Sequence, residues 1–235
     1  MYFFLGKLSF LVICYTTNIF PCMLASFPAE AKSISFNGCM AQFCLFGSLG
    51  GTECLLLSMM LYDRYLAICN PLRYAAVMSR GMCLCLAAAS WISGFVIALV
   101  TILFMSSLTF CGPNEIDHFF CDFTSLLKLV CSDTYLFEKV SFFLSSTLTL
   151  VPFLLTMVSY IYILSAILNC PSTARSQKAI STCSSHLIVV TTFYGTLIAM
   201  YMVPAADHSL NLNKVFSIFY TMVTPPHTHG ESLHI

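Results

Sequence analysis

Three groups of residues in this chain have the types and spacing to do chemistry. The first is Asp63-Arg64, followed by Tyr65, at the foot of a long apolar run. A carboxylate beside a guanidinium at such a boundary can form a local ion pair whose opening releases a cation to a partner. The plainer reading is an interfacial anchor, with Arg64 reaching toward lipid headgroups. The second is Glu53, ten residues earlier in the same run, which on a helix lies roughly 15 Å from Asp63. An ionised side chain that deep in an apolar medium is costly. Glu53 must therefore face an interior, be protonated and hydrogen-bonded, or meet a cation. The third group is drawn from thirteen cysteines. Most fall in apolar runs, where cysteine acts as a small hydrophobe. Cys39, Cys111, Cys121 and Cys131 instead lie at or near one long loop. Four thiols permit three pairings, and sequence alone does not choose among them. Intramembrane catalysis would need converging acids or a nucleophile with its base. Only Glu53 lies deep in a run, and neither HExxH nor paired aspartates occur, so the chain does not read as an enzyme and no cofactor is implied.

The elements that position these groups are apolar helices. Of 235 residues, 58% are hydrophobic and 9% charged, against about 25% charged in soluble domains. Mean hydropathy is +0.86. A membrane-spanning helix needs roughly 20 mostly apolar residues. The stretches 7–27, 36–62, 82–104, 139–168 and 180–203 qualify, and 213–226 is apolar but shorter. Pro21 and Pro152 fall inside two of them, which membrane helices tolerate when neighbours satisfy the freed backbone groups. With Met1 in the cytoplasm, Lys7, Arg64, Arg73, Arg80, Arg175 and Lys178 fall inside, as the excess of basic residues in cytoplasmic loops requires. The loop 105–138 then lies outside. A net charge of zero gives no support for a nucleic-acid partner. Matched segments of the kind that mark transporters are absent. A polar tail, 227–235, carries His227, His229 and His234, a weak metal candidate.

Longer motifs carry a resemblance. Met60-Leu61-Tyr62-Asp63-Arg64-Tyr65-Leu66-Ala67-Ile68-Cys69-Asn70-Pro71-Leu72-Arg73-Tyr74 resembles the signature MAYDRYVAICNPLRY of the olfactory branch of rhodopsin-like G-protein-coupled receptors, with leucines at 61 and 66 as mild departures. Met1-Tyr2-Phe3-Phe4-Leu5 with Leu8-Ser9 resembles that family's PMYFFLxxLS. Phe110-Cys111-Gly112-Pro113-Asn114, His118-Phe119-Phe120-Cys121-Asp122 and Cys131-Ser132-Asp133 resemble its second extracellular loop. Ser159-Tyr160 matches the inner end of its fifth helix. Lys178 through Leu187 resembles KAFSTCSSHL, and Phe193-Tyr194-Gly195-Thr196 follows at the expected distance.

The resemblance implies an all-α, polytopic transmembrane helix bundle. It is the seven-helix receptor fold lacking helix 1 and the end of helix 7, with a partial receptor domain over 1–226 and a divergent tail over 227–235. It implies disulfides Cys39–Cys121 and Cys111–Cys131. It implies a small-molecule odorant as ligand, an olfactory stimulatory heterotrimeric G protein as partner, a lipid bilayer as surroundings and a receptor dimer as a further association. It implies the plasma membrane as location, with, as the alternative, a truncated, non-signalling product retained in the endoplasmic reticulum or interfering with intact receptors. Phe43, Phe46, Gly47, Gly50 and Gly51 share one helix face by i, i+3, i+4, i+7, i+8 spacing, the glycines opening space that the aromatics line. With Leu144, Ser145 and Leu148 from the family's fifth helix and Tyr194, Leu197, Ile198 and Tyr201 from its sixth, they form the expected odorant site. Ordinary helix packing is the plainer reading of each residue. Gly47 stands where many relatives carry histidine, so a histidine-assisted ligand mode has no support. Tyr194 occupies the family's switch position. Asp63, Arg64, Tyr65, Tyr160, Lys178 and His186 are the expected coupling residues, His186 as a polar latch or as a satisfied core histidine. Glu53 is the expected Na⁺ ligand, with a protonated, hydrogen-bonded acid as the alternative.

Overall fold

The computed structural model describes residues 2–26, 35–111, 121, 123–127, 129–168, 183–184 and 186–197. These are almost entirely helical: α1 (Tyr2–Ser26), α2 (Phe36–Cys69), α3 (Pro71–Val77), α4 (Arg80–Ser106), α5 (Phe123–Leu127), α6 (Tyr135–Leu168) and α7 (His186–Leu197). Among the described residues, Phe36–Cys69, Arg80–Ser106 and Tyr135–Ile167 are long and apolar enough to cross a membrane. The sequence-expected stretch 36–62 is longer in the structure, because helical hydrogen bonding continues past the apolar residues. It stops at Cys69 for a local reason. Asn70 precedes Pro71, and a residue before proline is pushed out of the helical region. Asn70 has φ −134° and ψ 59°. Pro71 then starts α3, where its missing N–H would be unsatisfied anyway. The expected stretch 213–226, the tail 227–235 and residues 198–203 lie outside the described residues.

The chain forms two compact units. The first holds Met1–Phe10, Leu55–Ala87 and the chain from Leu150 onward. Its core gathers Leu61, Tyr160, Ile163, Ile167 and Cys183, with Tyr65, Ile68 and Cys69 packed against it. Pro152, inside α6, has no N–H to give, but its carbonyl accepts a hydrogen bond from Ser58 Oγ at 3.3 Å. In α7 the buried residues His186, Val189, Val190, Phe193, Tyr194 and Leu197 recur at helical spacing on one face.

The second unit holds Leu11–Cys54 and Ala88–Thr149. Within it α4 presents small buried residues, Ser90, Gly94 and Ala98, to α2. A Cβ on Gly94 would lie 2.6 Å from the Ser48 carbonyl oxygen and 3.5 Å separates the Gly94 Cα from a Cβ placed on Gly51. Small residues at such a crossing let two membrane helices approach closely, and packing then supplies the attraction that lipid does not. The hydroxyls of Ser48 and Thr52 donate to carbonyls of their own helix, Leu45 at 3.0 Å and Ser48 at 2.7 Å, which satisfies them without a partner helix.

Candidate functional site

In the first unit the polar residues collect around the end of α2. Asp63 and Arg64 are both buried. Asp63 Oδ1 accepts a hydrogen bond from the Tyr74 hydroxyl at 3.1 Å. Tyr74 sits on α3, outside the membrane-spanning stretch. Burial first, and then the Asp63 carboxylate, raise its phenol above the usual range, so it stays a donor. The Tyr160 hydroxyl on α6 lies 2.8 Å from His186 Nδ1 on α7 and donates toward the Cys183 carbonyl at 3.5 Å. His186 is fully buried, and its Nε2 has no hydrogen-bond partner among the described residues. Tyr65 stacks edge-on to Tyr162, with ring centroids 6.1 Å apart. Tyr194 is buried between Phe153, at 5.2 Å, and Phe193, at 5.3 Å.

In the second unit two disulfides hold the loop. Cys39 is bonded to Cys121 and Cys111 to Cys131, with Cα separations of 5.4 and 5.9 Å. The second pair sits beside a short antiparallel contact, where Phe110 faces Val130 and Cys111 N–H and Cys131 N–H donate to the carbonyls of Leu129 and Thr109. Phe43 on α2 stacks with Phe123 of α5 at 6.4 Å, and Phe123 with Phe137 of α6 at 5.5 Å. Glu53 is buried on α2. Among the described residues no group of three or more His, Cys, Asp or Glu gathers in the chain.

A family model described as olfactory receptor matches residues 1–228. The chain belongs to the olfactory receptor family. Human olfactory receptor 6B1 is 51% identical over 225 residues, covering 96% of this chain and 72% of its own length. Human olfactory receptor 11L1 is 48% identical, with 96% and 70% covered. Mouse olfactory receptor 5AP2 is 48% identical, with 96% and 71% covered. In fold, the crystal structure of squid rhodopsin matches with a TM-score of 0.72 at 15% identity, over 98% of this chain and 70% of that one. This olfactory receptor is therefore a multi-pass membrane protein of the rhodopsin-like class. It responds to odorants and couples to G proteins, and it is not an enzyme.

The receptor's expected ligand residues fall unevenly. Phe46 is buried against Tyr15 at 5.3 Å, while Phe43 and Gly50 are half-buried. Leu144 and Leu148 lie on the inward stripe of α6 with Ser141 and Pro152, but Ser145 is exposed, one step off that stripe. Gly47 is exposed, and its Cβ direction meets Ala98 at 3.9 Å. Gly51 does not open space. A Cβ there would meet Leu148 Cδ2 at 2.7 Å and Gly94 Cα at 3.5 Å, so the glycine admits close helix packing. Tyr194 and Leu197 are buried on α7. Ile198, Tyr201 and Lys178 lie outside the described residues, as do His227, His229 and His234.

Three residues escaped the sequence reading. Tyr74 holds Asp63, and the only sequence sign was its place at the end of the signature. Leu72 on α3, beside Arg73, is an apolar side chain that is 96% exposed. Gln42 is a buried amide in α2 that bonds both α1 and the loop. A polar residue amid an apolar run was its signal.

Proposed function

We propose that this receptor takes small, volatile, apolar odorants in the plasma membrane and activates a stimulatory heterotrimeric G protein, raising cAMP. The observation that carries the coupling half is the buried junction of Tyr160 with His186, in the same unit as Arg64. One hydrogen bond there links α6 to α7, and its second ring nitrogen has no described partner. Such a junction is a bistable element: a modest helix movement breaks one bond and offers Tyr160 and Arg64 to a partner. Tyr194 is coupled to its neighbours in this unit, since any displacement of its ring must move Phe153 or Phe193. Leu72, exposed beside Arg73, is a fitting contact for the G protein, because burying a leucine side chain contributes about 1.5–3 kcal/mol.

On the ligand side, Phe43, Phe46, Leu144 and Leu148 supply an apolar lining with few polar groups, the usual make-up of small-molecule pockets. A volatile with little hydrogen-bonding capacity gains affinity mainly from the apolar area it loses to water.

The test is a cAMP reporter in cells expressing the tagged chain, exposed to a panel of apolar volatiles. At least one should give a saturable response that Arg64→Ala abolishes at an unchanged surface level. A panel without any response, or responses that persist in Arg64→Ala, would overturn the reading.

A further inference from the structure

We propose that Gln42 is a positioning residue for odorant selectivity: it fixes the orientation of Cys121, and with it the place of Phe123 in α5, over the outer end of α2. This rests on the odorant-binding reading above. Gln42 is buried. Buried amide groups need partners on both the donor and the acceptor side, and those of Gln42 are divided between two elements. Its side-chain oxygen accepts from the Cys121 backbone N–H at 3.2 Å. Its side-chain nitrogen donates to the Asn18 carbonyl of α1 at 3.4 Å, and Asn18 Nδ2 returns a bond to the Gln42 carbonyl, also at 3.4 Å.

Cys121 is thus held from α2 twice. Cys39 ties it covalently, and Gln42, three residues further along the same helix, ties its backbone. Leu126 and Phe123 also pack in the apolar cluster around Cys39, Met40 and Phe137, but such packing is not directional. A second, polar tie on the same rigid helix, beside the disulfide, fixes the direction of the Cys121 backbone. The consequence falls on Phe123, two residues on. It lies between Phe43 and Phe137 with interplanar angles of 29° on both sides. Phe43 neighbours Gln42 in sequence and is a ligand candidate. Gln42 therefore sets where the ring of Phe123 lies on Phe43, and so the shape of the apolar surface presented to a ligand. The disulfide gives the segment its attachment, and Gln42 gives it its direction.

Gln42→Met keeps the volume and removes both side-chain bonds. Gln42→Glu keeps the shape and an acceptor for the Cys121 N–H. Gln42→Asn keeps the amide but is one methylene too short, and it serves where Gln42→Met reaches the surface poorly. In the cAMP assay with a bulky and a compact activating odorant, Gln42→Met should change their potency ratio by about tenfold, the scale of one lost buried hydrogen bond, while Gln42→Glu retains the wild-type ratio. Hydrogen exchange of the purified full chain should show faster exchange over 121–127 in Gln42→Met and not in Gln42→Glu. A merely structural role would lower surface level and scale all responses together. Equal potency shifts for both odorants, or unchanged exchange over 121–127, would overturn the proposal. A wild-type chain silent to the whole panel counts against the ligand reading instead, and the exchange measurement then decides the tether by itself.

Discussion

Gly94→Ala and Gly51→Ala put the same methyl group at one helix crossing with opposite expected results. On Gly94 the new carbon would sit 2.6 Å from the Ser48 carbonyl oxygen and 3.0 Å from the Thr52 amide nitrogen, with Thr52 Oγ1 also in its way. Comfortable contact between non-bonded heavy atoms begins near 3.5 Å, so relief requires the neighbour to retreat by several tenths of an ångström. Two of these neighbours are backbone of α2, which cannot rotate aside, so the helices must separate. Overpacking of this kind costs about 1–3 kcal/mol. Alanine returns about 0.5–1 kcal/mol over glycine inside a helix. A net loss near 1–2 kcal/mol lowers Tm by roughly 2–8 °C in a chain of this size. On Gly51 the methyl meets Leu148 Cδ2 at 2.7 Å. That atom is the far end of a flexible side chain and turns away, so the helix gain stands and Tm holds or rises slightly. Thermal unfolding of the two purified variants in detergent measures the difference. If Gly94→Ala proves as stable as Gly51→Ala, the close α2–α4 approach is not what holds this unit together.

Tyr160→Phe removes the hydroxyl 2.8 Å from His186 Nδ1 and should cost about 1–3 kcal/mol by leaving a buried ring nitrogen unmade. Adding His186→Phe should recover part of that loss, which a double-mutant cycle in thermal unfolding detects. The Cys111–Cys131 bond spans 20 residues and should contribute about 3 kcal/mol by constraining the unfolded loop. The double serine variant should fall in surface level, while peptide mapping without reduction still recovers Cys39 joined to Cys121. Leu72→Asp should reduce G-protein activation at least about fivefold, roughly 1 kcal/mol of lost apolar contact, at unchanged surface level and odorant potency; an unchanged maximal response would show that α3 does not meet the G protein.

What could be read from the sequence was whatever depends on near neighbours in the chain. The apolar runs marked α2, α4 and α6, and Pro71 after Asn70 marks the break that ends α2. The signature around Asp63-Arg64 identified the family because fifteen consecutive residues carry it. Contacts between distant segments were not legible. Whether Gly51 opens a cavity or admits a neighbour depends on Gly94 and Leu148, which stand 43 and 97 residues away. The family resemblance set Ser145 with Leu144 and Leu148 but could not say which side of α6 the serine would occupy. The Tyr74 bond to Asp63 depends on how α3 turns after the proline, a matter of a few dihedral angles. Gln42 carried a signal, an amide in an apolar run, but its two partners come from a helix before it and a loop well after it.

The unequal burial of the long helices bears on how such a chain can drift. Along the most apolar window of α2, 67% of the residues are buried, against 22% for α4 and 28% for α6. Most substitutions in α2 therefore meet another side chain and are judged on shape and polarity. On α4 the outward positions, Ile92, Phe95, Val96, Leu99 and Leu103, need only remain oily. Random change can wander there across the branched and aromatic apolar residues at little cost, while α2 holds its spelling. Diversity among relatives should thus concentrate on the outer surface of α4, and an invariant residue on that surface would point to a contact with something other than lipid.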